Sequence, residues 1–112
     1  LTKNDSLFSF VNALLCNGYE LRIGYLGEWE DFYGASEAMV WDAYNEVMAQ
    51  EACFIHLFPA DTISTGSDYY GASMAKVMAL PYEDEVEWLV DYSHSDDCDE
   101  FIINRIKENI YV

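Results

Sequence analysis

Basic residues are scarce in this chain: five Lys and Arg stand against 21 Asp and Glu in 112 residues, a formal net charge of −16. A surface that grips a phosphate backbone or an anionic membrane needs Lys and Arg to replace counterions, so direct nucleic-acid or membrane binding is excluded as a role. Cysteine is sparse too. Cys16, Cys53 and Cys98 are odd in number and widely spaced, which rules out a disulfide framework and suits a reducing cytoplasm. No apolar run approaches the roughly 18 residues of a membrane span. The opening LTKNDSLFSF lacks the basic region and long apolar core of a signal peptide. Neither a Gly-x-Ser-x-Gly elbow nor a phosphate-cradling glycine loop is present, and there are only two histidines. Little in the sequence therefore points to an enzyme.

Apolar and aromatic residues are plentiful, at 52% and 16% of the chain, too many for intrinsic disorder even at this charge. The length fits one domain, residues 1–112, with one core. Asn4 or Asp5 can cap a first helix whose stripe is Leu7, Phe8, Val11, Leu14 and Leu15, ended by Asn17-Gly18. Tyr19 to Tyr25 alternates as a strand, Gly27-Glu28 suits a turn, and Trp29 to Tyr33 a short return strand. Ser36 caps a second helix with Val40, Trp41, Tyr44, Val47 and Met48 inward. Ala52 to Phe58, ACFIHLF, is apolar on both faces and reads as a central strand stopped by Pro59. Asp61 to Asp68 is a loop, and Tyr69 to Leu80 fits a strand better than a helix. A final helix carries Phe101, Ile102, Ile106 and Ile110, with Asp96 or Asp97 as its expected cap. The order is αββαβββα: an α+β domain of three helices on one face of a mostly antiparallel sheet.

The acid is concentrated. PYEDEVEWLVDYSHSDDCDE, from Pro81 to Glu100, holds nine carboxylates and no Lys or Arg. Within it Val86, Trp88 and Val90 alternate with Glu85, Glu87 and Asp91, which places the apolar set against a core and the acids in water. Acids two apart on a strand sit roughly 6.5–7 Å from each other, inside the Debye length of about 8 Å at physiological salt. They repel and weaken the compact state. The plain role for such a face is to keep the protein soluble. The functional role is to meet a basic partner through Glu83, Asp84, Glu85, Glu87 and Asp91. A second cluster, GEWEDFY from Gly27 to Tyr33, sets Glu28, Glu30 and Asp31 among Trp29 and Tyr33, a mixture of interface aromatics and arginine-binding carboxylates.

Metal sites fare poorly. Cys53-x2-His56 and His94-x3-Cys98 have zinc-like spacings, but a strand over Ala52 to Phe58 points Cys53 and His56 to opposite faces. A calcium loop starting at Asp91 has Asp96 and Ile102 where Gly and Glu are required. No cofactor or metal is expected.

In its small size, extreme acidity and lack of a catalytic signature, the whole chain resembles the small inhibitors encoded by phages and mobile elements: anti-CRISPR proteins and DNA-mimic antirestriction proteins. The resemblance is of type, with no shared motif. It implies an inhibitor in the host cytoplasm that occupies the basic channel of a nucleic-acid-binding protein or ribonucleoprotein complex. Two further readings are an immunity-type protein that neutralises a basic nuclease toxin, and an acidic structural or assembly protein. The sequence does not specify an oligomeric state.

Overall fold

The computed structural model describes residues 5–66, 73–82, 85–94 and 98–110. Among these it shows three helices and five strands in the order αββαβββα: α1 (Asp5–Cys16), β1 (Glu20–Tyr25), β2 (Glu28–Phe32), α2 (Glu37–Met48), β3 (Cys53–Phe58), β4 (Ala75–Tyr82), β5 (Glu85–His94) and α3 (Glu100–Asn109). The strands form one antiparallel sheet in the order β2-β1-β3-β4-β5. The domain is α+β. No helix among the described residues is long and apolar enough to cross a membrane.

Alternation along each strand decides which face is buried. Leu21 and Ile23 of β1, Cys53, Ile55 and Leu57 of β3, and Ala75, Val77 and Ala79 of β4 are all buried and lie in paired rows. The helices close over them. Leu7, Phe10, Val11, Leu14 and Leu15 of α1, Val40, Ala43, Tyr44 and Val47 of α2, and Ile102 and Ile106 of α3 complete the same cluster. Helix α1 packs against both α2 and α3.

Local chemistry sets the helix ends. At Gly18, φ is +88°, and this left-handed residue lets the Tyr19 amide return to the Leu14 carbonyl at 3.0 Å. The Ser36 hydroxyl accepts from the Met39 amide and starts α2 as expected. For α3 the cap is Asp99; Asp96 and Asp97, the expected candidates, lie outside the described residues. Asp99 suits the position because the helix begins at Glu100, so its carboxylate reaches the Phe101 amide. It also accepts the Tyr19 hydroxyl at 2.6 Å, while the Tyr19 ring stacks on Phe101 with centroids 5.2 Å apart. Burial, and then Asp99, push the Tyr19 phenol up to about 12. Asp99→Ala removes the cap and this tie together, and should lower the unfolding free energy by about 1–2 kcal/mol in urea titration. Tyr19→Phe should lose only the smaller, second part.

Strand β5 keeps the expected alternation where its side chains are described. Val86 and Trp88 pack on the core, and Glu87 is exposed. The Trp88 ring meets Phe10 edge-on at 5.6 Å, and its Nε1 donates to Ser6 Oγ at 3.3 Å. Pairing with β4 slips between Lys76 and Met78: Lys76 faces Ser93, while Met78 faces Leu89. Three residues of β5 thus stand opposite Val77 alone, a bulge at the edge of the sheet.

Candidate interaction surface

The β1–β2 hairpin turns at Leu26-Gly27, one residue earlier than the sequence suggested. Both turn residues have positive φ, +53° and +85°. That geometry matches the twist of a two-residue hairpin and normally calls for Asn-Gly. Leucine in the left-handed region costs roughly 1–2 kcal/mol, and here its side chain is 84% exposed.

Trp29 follows, half exposed at 49%. It lies over β1 at Gly24, its register partner, and its ring meets His56 edge-on at 5.1 Å. Gly24 makes this possible: a Cβ there would stand 1.9 Å from the Glu28 carbonyl oxygen and 2.8 Å from the Trp29 ring. Tyr25, also exposed, stacks on Phe54 at 6.1 Å. Tyr33 is exposed just beyond β2.

The three expected acids of the hairpin have different fates. Glu28 is exposed. Asp31 forms a two-pronged ion pair with its cross-strand partner Arg22, at 2.7 and 3.2 Å, so it is already engaged within the fold. Glu30 sits opposite Ile23, and it lines one hollow together with Asp42 and Glu46 of α2. The Glu30 pKa is raised, first by the neighbouring Glu46 carboxyl and its charge, then by desolvation and the charge of Asp42. Gln50 Nε2 donates to Glu46 at 3.0 Å and holds it in place.

An open cleft of about 870 Å³ lies between the hairpin and the end of α2, lined by Tyr25, Leu26, Glu28, Trp29, Glu30, Glu46 and Glu51 among others. A smaller hollow of about 460 Å³ adjoins it around Glu30, Asp31, Asp42 and Glu46. Among the described residues that line the two hollows there are six carboxylates and no Lys, Arg or His.

The second expected cluster is only partly described. Glu83 and Asp84 lie outside the described residues, as do the side chains of Glu85, Val90 and Asp91. Strands β2 and β5 are opposite edges of the sheet. Four strand spacings put about 19 Å between them, so Glu87 does not join the hairpin acids in one continuous patch.

The zinc spacing is not realised at β3. Cys53 is buried under the helices, while His56 points to the other face. Burial, and then the charge of Glu46, push the Cys53 thiol up to about 12. The side chain of His94 lies outside the described residues, and so do Ser95 and Asp96 of the calcium-loop spacing. No group of three His, Cys, Asp or Glu side chains among the described residues is arranged to hold a metal ion.

Sequence reading did not reach Asp42, Glu46 and Glu51 as companions of the hairpin acids. Asp42 and Glu46 look like the ordinary wet side of α2 and Glu51 like part of the turn after it, and only the crossing of helix and sheet brings them to β2. Comparison with protein-family models, curated proteins and solved structures returned no match.

Proposed function

We propose that this protein is an inhibitor that acts by occupancy rather than catalysis. In this reading it binds a basic nucleic-acid-handling protein or ribonucleoprotein in the cytoplasm of a host cell and denies it its substrate. The observation that carries the proposal is the hairpin cleft: Tyr25, Leu26 and Trp29 stand exposed and ringed by carboxylates, with no cation among the described lining residues. Exposed aromatics supply the contact energy of an interface, and a charged rim supplies steering and partner choice. Carboxylates present to Arg and Lys the same acceptor chemistry as phosphates. The three free thiols and the acidic balance support a reducing, intracellular setting. Resemblance in type to anti-CRISPR and antirestriction proteins supports the class of target. Strand β5, with Glu85, Glu87 and Asp91, is the second contact in this reading.

The test begins with affinity capture from bacterial lysate and identification of the partner by mass spectrometry. Binding is then measured by calorimetry across a salt series, in competition with duplex DNA and RNA. A nucleic-acid-binding partner is expected, with affinity falling steeply as salt rises. Glu28→Gln with Glu51→Gln and Trp29→Ala should weaken binding by about 100-fold or more. The control set Glu37→Gln, Glu100→Gln and Glu108→Gln should change it less than about threefold. Equal losses from both sets would reduce the interaction to net charge. A partner with no basic surface would end the proposal.

A further inference from the structure

Strand β3 is apolar on both sides, yet the three helices cover only one. On the other side, Phe58 and, in the loop that follows β3, Ile63 are buried, and both stand apart from the main core. The rest of that face is left to Phe54, His56, Met78 and Leu80, all half-buried, with Trp29 at its margin. A solvated sheet face ordinarily alternates to polar residues. An aromatic and aliphatic one marks a contact surface.

Its charge separates it from the rest of the molecule. Across β2, β1, β3 and β4 this face holds Arg22 and Lys76 against Asp31 and the loop-covered Glu20, a sum of zero on a protein of −16. Lys76 Nζ lies over the Phe54 ring at 4.9 Å, and Arg22 over Phe58 at 5.5 Å. Acid returns at the β5 edge with Glu87, the register partner of Leu80. A third positive charge at His56 is disfavoured: burial, and then Lys76 and Arg22, lower its pKa. Its Nδ1 is 3.4 Å from Ser73 Oγ.

We infer that this sheet face, which the described helices leave uncovered, joins two copies of the chain into a symmetric dimer, sheet against sheet. Two molecules of −16 repel wherever acid meets acid, so they can close only through a surface that is both apolar and locally neutral. Among the described surfaces the face around Phe54, His56 and Met78 meets both conditions. A basic partner would be drawn instead to the acid elsewhere, which assigns this face to a second copy. Packed sheets sit about 10 Å apart, room for one interdigitated layer of such side chains.

Sedimentation equilibrium on the full chain, from about 0.05 to about 0.5 M salt, tests this directly. A dimer is expected whose association tightens as salt rises, because salt screens the overall repulsion and leaves the apolar contact intact. That is the reverse of the salt dependence expected for a basic partner, so the two proposals fail independently. Met78→Glu should weaken the dimer by about tenfold or more through like charges facing each other. Leu80→Glu, nearer the margin, is the second variant should the first not fold by circular dichroism. Leu26→Ser, on the hairpin tip, should leave the dimer intact. A monomer at every concentration and salt would overturn the inference. So would a dimer that loosens with salt, or one that folded Met78→Glu and Leu80→Glu variants leave unchanged.

Discussion

Glu20→Ala is expected to destabilise the protein by about 3–4 kcal/mol, among the largest effects of any single substitution. Glu20 is 3% exposed, and none of the hydrogen bonds described for its carboxylate comes from a cation. Instead one carboxylate oxygen accepts the backbone amides of Thr62, Ile63 and Ser64, and the other accepts the Ser64 hydroxyl. Alanine leaves three amides without an acceptor. Each such loss costs about 1–3 kcal/mol when the group stays buried, and less where the loop swings out to water. Glu20→Gln keeps one acceptor oxygen and should cost about 1–2 kcal/mol, since a neutral amide accepts more weakly than a carboxylate. Urea titration measures both. A loss below about 1 kcal/mol for alanine would mean that the loop is held by Ile63 packing alone. In that event proteolysis between Ala60 and Gly66 would not accelerate.

Gly24→Ala should cost about 2–4 kcal/mol and disturb the hairpin as well as the stability. The clash is with backbone: the added carbon would fall 1.9 Å from the Glu28 carbonyl oxygen and 2.9 Å from its carbon. Neither side-chain rotation nor a small shift relieves that, so β1 and β2 must separate and Trp29 must leave its seat. The indole environment of Trp29, followed by NMR, should change along with the unfolding midpoint. Capture of a basic partner should weaken too. Gly27→Ala is the matched control. There φ is +85°, but nothing lies within 4 Å of the added carbon, so the expected cost is backbone strain alone, about 1 kcal/mol. Equal effects at the two sites would show that the close approach of Trp29 to β1 is not the constraint on residue 24.

The contrast between these two residues shows what local sequence pattern can and cannot carry. Helix and strand order follows from periodicity, and so do the caps at Ser36 and the inward set Val86 and Trp88, because each depends on neighbours within a few positions. Glu20 reads as an outward residue of an alternating strand, and it does point away from the helices. Its burial comes from a loop more than 40 residues later, which no local pattern encodes. Asp96, Asp97 and Asp99 are alike in local sequence, because any acid just before an apolar stripe can cap it; the choice of Asp99 rests on where α3 starts. Phe54 and His56 were legible as apolar on a second face. Whether that face would be covered depended on all three helices choosing the same side.

The pairing of α1 with α3 has a bearing on how the chain is made. The buried stripe of α1 finds part of its cover on α2, but Ile102 and Ile106 come from the last helix. During synthesis, at roughly 5–20 residues per second, α1, β1, β2 and α2 emerge with an apolar seam still open. The neighbouring strand pairing is non-local as well: β1 waits for β3, beyond the whole of α2, before its inner edge is filled. Closing such separated contacts is slow relative to helix formation. For that interval the dense negative charge has a second use, since nascent chains that repel one another are less able to join through unfinished seams.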